Sequence, residues 1–288
     1  MTDFFSDMSV NPLLLSGLVG GVLAGISCGL IGPYVITRRI VFLAGAIAHI
    51  VVGGVGAVLW LRFQFAPSLD WLEPLHGALV AALLAAFLIG LVQHYSRERL
   101  DTLIGALWAV GMAVGILLVK FTPGYHTEIM SYLFGNIAVV GTDDVILIAV
   151  LNVVILALAL LFHKRLVAVC LDEEYARLQG ISVLATNLLA LSLVALTVVA
   201  LIRVVGLILV IALLTLPAAT AGHFTRRFGG LILSTVVLCV LLTTVPRIAV
   251  YGTRISPESA IVLAAAGVYL VSLGVRAVVR RRASAPRD

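Results

Sequence analysis

Nine runs of mostly apolar residues, each about as long as a helix needs to cross a bilayer, dominate this chain of 288 residues. They fall at about Leu13–Thr37, Ile40–Leu61, His76–His94, Thr102–Lys120 and Thr142–His163, then Leu184–Arg203, Val205–Phe224, Gly229–Val245 and Ser259–Val279. Roughly 20 apolar residues span the hydrocarbon core as a helix, whereas barrel strands are shorter and alternate polar with apolar. The runs here are continuous, so helices are expected. With 62% hydrophobic and 11% charged residues, against about 45–50% and 25% in soluble domains, the chain has more apolar surface than a soluble interior can hide. Lipid must be its solvent. The expectation is an all-α, polytopic helical membrane protein with eight to nine transmembrane helices, residues 1–288 forming one domain. Whether the chain divides near Arg203–Gly206 decides between the two counts.

Orientation follows from the basic residues. With the N-terminus outside and nine crossings, one side receives Arg38, Arg39, Arg97, Arg99, Lys164, Arg165, Arg177, Arg226 and Arg227. The same side takes Arg276, Arg280, Arg281, Arg282 and Arg287, and only Arg62, Lys120, Arg203, Arg247 and Arg254 fall opposite. The richer side is cytoplasmic. A net charge of +5 dispersed in this way lines no continuous face, so nucleic acid is not an expected partner; the bilayer is. The first residues, MTDFFSDMSVNP, contain no basic cluster and do not read as a cleavable leader. Cys28, Cys170 and Cys239 have no metal-ligand spacing and read as small apolar fillers.

Few polar groups lie deep in the runs. His49, in LAGAIAHIVVGG, stands near the middle of the second. An ionisable side chain at that depth faces a water-filled route or a partner. Imidazole also ligates transition metals; the alternative is a neutral ring donating to a neighbouring helix's carbonyl. Asn152 and Asn187 suit hydrogen bonds between helices. Pro217, in LLTLPAATAGHF, frees a backbone carbonyl, and Thr215 and Thr220 are close enough in sequence to satisfy it or to line a path. Between the fifth and sixth runs the chain turns polar in HKRLVAVCLDEEYARLQGISV. Here Asp172 can cap a short helix that Gly180 ends. Such a helix on the cytoplasmic face suits docking of a soluble partner, or an interfacial position. Neither Lys120 nor Lys164 follows a glycine, so there is no phosphate-binding GxxxxGK[ST] loop, and no catalytic motif is evident. The chain is not expected to be an enzyme, and any ATP must bind a separate subunit.

Several stretches, in order, resemble the zinc/manganese/iron permease family of ATP-binding-cassette importers. They are GPYVITRRIVFLAGAIAH, DTLIGALWAVG, SYLFGNIAVVGTDD, LDEEYARLQGIS and VGLILVIALLTLPAATA, running from about Gly25 to Val275. The resemblance implies a multi-pass subunit in a prokaryotic cell membrane. Its partners would be a second permease copy, as a homodimer, a cytoplasmic ATPase and an extracytoplasmic metal-binding protein. The cargo would be a divalent zinc, manganese or iron ion, with no cofactor bound by this chain and ATP on the partner. By the same resemblance Asp172, Glu173, Arg177 and Gly180 belong to a coupling helix, and His49 is a transient metal ligand. Thr215 and Pro217 then border the translocation path. Many such permeases carry Asp-x-x-x-His in the second segment; here the aspartate position is Gly45.

Other readings predict different features. A permease for a metal chelate, such as a siderophore or cobalamin, needs a wider apolar and aromatic path and leaves His49 structural. A transporter driven by an ion gradient needs mid-membrane carboxylates, which the runs lack. A membrane scaffold without transport would leave His49, Pro217 and the polar helix unexplained.

Overall fold

The computed structural model describes residues 2–8, 10–65, 71–96, 100–122, 135 and 140–283. Most of SYLFGNIAVVGTDD lies outside the described residues, as do Arg97, Arg99 and Arg287. A short helix α1 (Thr2–Met8) precedes α2 (Pro12–Thr37), α3 (Val41–Phe65), α4 (Pro74–Tyr95) and α5 (Leu100–Lys120). Next come α6 (Thr142–Leu161), α7 (His163–Leu171) and α8 (Glu173–Leu178). A helical stretch over Val183–Gly222 is broken at Gly206 into α9 (Val183–Ile202) and α10 (Val205–Gly222). The last helices are α11 (Phe228–Ala249) and α12 (Pro257–Ala283). Among the described residues there is no strand, and nine helices are long and apolar enough to cross a membrane. The chain is a multi-pass membrane protein.

The break at Gly206 resolves the helix count. Forty residues of unbroken helix would reach about 60 Å, twice the hydrocarbon thickness. Gly206 instead has φ 72° and ψ 167°, a conformation essentially confined to glycine. The chain turns back there. Leu188 of α9 packs on Gly90 near the end of α4, and Leu214 of α10 approaches Gly32 near the end of α2. Both helix ends are cytoplasmic in the orientation set by the basic loops, so residues 188 and 214 occupy the same side and the turn lies opposite. Gly135, also at positive φ, sits against the Val205–Gly206 backbone.

α2, α3, α9 and α10 form the interior, and the others surround them. Lipid gives no hydrophobic drive between helices, so close approach through small residues does the packing. A Cβ at Gly53 of α3 would lie 2.9 Å from the Gly111 carbonyl oxygen of α5, and one at Gly56 would lie 2.8 Å from that of Gly115. These two helices therefore touch backbone to backbone over their outer halves. Large side chains such as Leu84, Phe87, Val153, Leu160, Leu233 and Leu270 point outward, where lipid is their solvent. Asn152 acts as the expected interhelical link, accepting from the Ser27 hydroxyl and donating to the Leu23 carbonyl at 3.1 Å.

Candidate functional site

His49 lies eight residues into α3, about 12 Å along the axis from its cytoplasmic end, and is buried. Its Nδ1 is 2.7 Å from the Gly45 carbonyl oxygen. A carbonyl only accepts, so Nδ1 carries the hydrogen and Nε2 is left with the lone pair. The acceptor belongs to α3 itself and not to a neighbouring helix, and the bond leaves Nε2 available. The ring is covered by Trp108 of α5, with centroids 4.2 Å apart at 34°. Gly45, one turn toward the cytoplasm, faces the same indole: a Cβ there would meet Trp108 Cζ3 at 3.1 Å, and Ile211 Cδ1 of α10 at 3.7 Å. Three helices, α3, α5 and α10, thus meet around Gly45, one turn from His49. Among the described residues no three His, Cys, Asp or Glu side chains gather as a metal site, so α3 itself would offer a metal ion a single imidazole nitrogen.

Below Trp108 a cleft of about 250 Å³ lies between α3 and α5, lined by Phe42, Asp101, Ile104, Gly105 and Trp108. Helical spacing explains the set. Residues 42, 45 and 49 share one face of α3, and residues 101, 104, 105 and 108 share one face of α5.

The freed carbonyl below Pro217 has a different partner from the one expected. Proline at 217 removes the donor to Leu213, and Thr215 and Thr220 do not supply it. Thr215 bonds the Ile211 carbonyl at 2.8 Å, and Thr220 that of Leu216 at 2.8 Å. Instead the Cys239 thiol of α11 lies 3.5 Å from Leu213 O and donates to it. Each threonine is held by its own helix because its hydroxyl reaches the i−4 carbonyl, whereas Leu213 O opens toward α11. Cys239 is therefore more than an apolar filler. Thr215 keeps the face of α10 that carries Ile211, one turn further toward the cytoplasm.

On the cytoplasmic side α8 has the cap expected of it. Asp172 Oδ1 accepts from the amides of Glu174 and Tyr175 at 2.9 and 3.0 Å. Gly180, at φ +74°, ends the turn with open space around it. Arg177 is exposed. Glu173 is only partly so, because its carboxylate turns inward to Arg38 at 2.6 Å. The Arg38 guanidinium also donates to Asn187 Oδ1 of α9. Arg38 follows α2, so one buried cation joins three elements: the end of α2, the start of α8 and the start of α9. Beside this joint the Cys170 thiol is pushed up to about 11, chiefly by burial, with Arg38 pulling it down and Glu173 raising it. A second tie lies nearby, where the Tyr34 hydroxyl meets His163 Nδ1 at 2.7 Å, linking α2 to α7. His223, beyond the end of α10, bonds Ser272 at 2.8 Å and stacks on Tyr269.

Sequence reading missed Arg38, Trp108 and Cys239 as site residues. Arg38 had been one basic residue of a cytoplasmic cluster, and Trp108 one apolar residue of α5. Only their spacing on a helix face carried a signal, and that signal has no direction until the partner helix is in place.

The sequence profile of the ABC 3 transport family matches residues 11–276. A "Probable metal transport system membrane protein" of Chlamydia trachomatis serovar D is 35% identical over 262 residues, covering 91% of this chain and 88% of that protein. The "Chelated iron transport system membrane protein YfeC" of Yersinia pestis is 32% identical over 229 residues, covering 80% and 73%. Among solved structures, "PsaBC from Streptococcus pneumoniae in complex with Fab" superposes with a TM-score of 0.82 at 29% identity, covering 94% of each chain.

Proposed function

Because the chain belongs to the ABC 3 transport family, we propose that it is the membrane-spanning permease of an importer for divalent transition-metal ions such as zinc, manganese or iron. It works by alternating access with a separate ATPase. The observation that carries the ATP-coupled reading is α8. This capped helix of six residues lies between two crossings on the cytoplasmic side, with Arg177 facing outward and Glu173 tied inward to Arg38. An element with one face for a partner and one for the helix bundle can turn a partner's motion into a helix motion.

In this reading two permease copies pair, and an extracytoplasmic metal-binding protein delivers the ion on the outer side. ATP binding and hydrolysis in two cytoplasmic ATPase subunits press on Asp172–Gly180. His49 Nε2 is the transient ligand on the way through, with Thr215 and the bend at Pro217 bordering the path. One nitrogen per copy binds weakly, which suits a carrier that must release its cargo. The relative named for chelated iron keeps a chelate as the alternative cargo.

The experiment is zinc and manganese uptake into vesicles holding the permease, its ATPase and its binding protein, with wild type compared to His49→Ala. ATP-dependent uptake that falls in the variant supports both the cargo and the ligand. Uptake that survives the variant returns His49 to a structural role. Absent uptake of either ion, in an assembled complex with a competent binding protein, favours the chelate. Arg177→Glu should weaken ATPase association while the membrane domain stays folded, and unchanged association and transport would refute the coupling assignment.

A further inference from the structure

The α3–α5 pair is built asymmetrically along its length. Over the outer half, Gly53 and Gly56 meet Gly111 and Gly115 at distances that leave no room for a Cβ, so nothing passes between the helices there. Over the inner half the helices part, and the space holds the Trp108 indole with the cleft of about 250 Å³ beneath it. His49 sits at the changeover, its ring against that indole. Below it come Gly45, Ile104, Gly105 and Phe42, and at the mouth Asp101, which is exposed.

From this arrangement we infer that the inner α3–α5 cleft is the cytoplasmic exit of the ion and that Trp108 is the gate separating it from His49. This deepens the permease reading and rests on it. Three features converge. First, the indole lies against the face of the His49 ring and also lines the cleft, which His49 itself does not, so Trp108 stands between the imidazole and the cleft. Second, the glycine contacts fasten the pair at its outer end, which makes the inner end the part free to spread. Third, Gly45 has no side chain where the indole edge rests, and a Cβ there would already sit 3.1 Å from Cζ3. Any side chain at position 45 would press on the indole edge and push it off this seat. An indole suits the task because it is large and seals an apolar slot, yet its edge slides without breaking a strong hydrogen bond. Asp101 then gives the ion its first carboxylate on leaving.

The test uses the full assembly in vesicles loaded with zinc(II). Trp108→Ala should raise zinc efflux in the absence of ATP by about tenfold or more, as when a state populated at a few per cent becomes the major one. Adding His49→Ala should suppress that leak, and Trp108→Phe should stay tight. A Trp108→Ala vesicle that holds zinc as wild type does overturns the gate. So does a leak that ignores His49, because it would run elsewhere. A second measurement is independent of ATP. With Trp60 and Trp71 changed to Phe, Trp108 is the sole tryptophan of the three in the chain. Saturating zinc(II) should shift its emission in the wild-type His49 background and not in His49→Ala; no shift overturns the inference. If wild type shows no ATP-driven zinc uptake, the free-ion cargo fails on its own, and the emission experiment still decides the gate.

Discussion

Substituting Arg38 by methionine probes the joint between α8 and the helix bundle. Methionine keeps much of the apolar stem that a buried arginine packs and removes the guanidinium. Two partners then respond differently. Asn187 is 5% exposed, and its Oδ1 would be left an acceptor without a donor, at about 1–3 kcal/mol. The Glu173 side chain is 42% exposed, so water takes over its carboxylate, and loss of that pair costs about 0–1 kcal/mol. The expected destabilisation is about 2 kcal/mol, dominated by the amide rather than by the ion pair. Adding Asn187→Leu removes the orphaned acceptor, and replacing both partners with apolar groups should recover more than half of the loss. Coupling should not recover, because neither variant ties α8 to α2. Thermal unfolding of the purified permease gives the first quantity, and the ratio of ion transported to ATP hydrolysed in vesicles gives the second. The reasoning is refuted if Arg38→Met is as stable as wild type, or if the double variant is no more stable than the single one. A transport-to-hydrolysis ratio unchanged in both variants would refute the coupling part alone.

Cys170, its thiol pushed up to about 11 mainly by burial, should react slowly with maleimide at pH 7.5 and speed up about tenfold for each unit the pH is raised toward that pKa. In Arg38→Met it should slow further, since Arg38 is the group pulling its pKa down, and labelling followed by mass spectrometry reads this. Burial, with Arg276 adding to it, holds the His223 imidazole below its ordinary range. The folded state should therefore keep the full contribution of this group above pH 6.5 or so and lose it as the pH falls toward the lowered value. His223→Gln should flatten that part of a stability-against-pH curve measured by thermal unfolding. Gly206→Ala puts a Cβ on a backbone at φ 72° and should cost about 1–3 kcal/mol, seen as a lower unfolding midpoint. Gly45→Asp presses a carboxylate on the Trp108 ring and should lower stability alone. Combined with Trp108→Leu it should recover stability and bind zinc more tightly than wild type by calorimetry.

Much of the fold was legible because lipid simplifies the code. A helix in a bilayer satisfies its own backbone, so its position shows as a run of apolar residues, and its orientation as the side on which arginines collect. The boundary between α9 and α10, the Asp172 cap and the link through Asn152 were readable for local reasons: a glycine between two apolar runs, a helix-start pattern, and a deep amide needing a partner. His49 stood out because an imidazole at that depth requires an explanation.

What the tertiary structure alone decided is which side chains face each other across helices far apart in sequence. Arg38 and Glu173 are 135 residues apart, and neither local sequence distinguishes an internal ion pair from two surface charges. Cys239 reads as a filler until α11 brings it to the carbonyl that Pro217 frees. Trp108 reads as lipid-facing or core until α5 lies against α3 and sets the indole over His49, with its edge beside Gly45. Hydropathy reports the free energy of moving one residue from water to lipid, a property of that residue. A gate or a coupling joint depends on distances between residues, which packing creates and no single stretch of sequence contains.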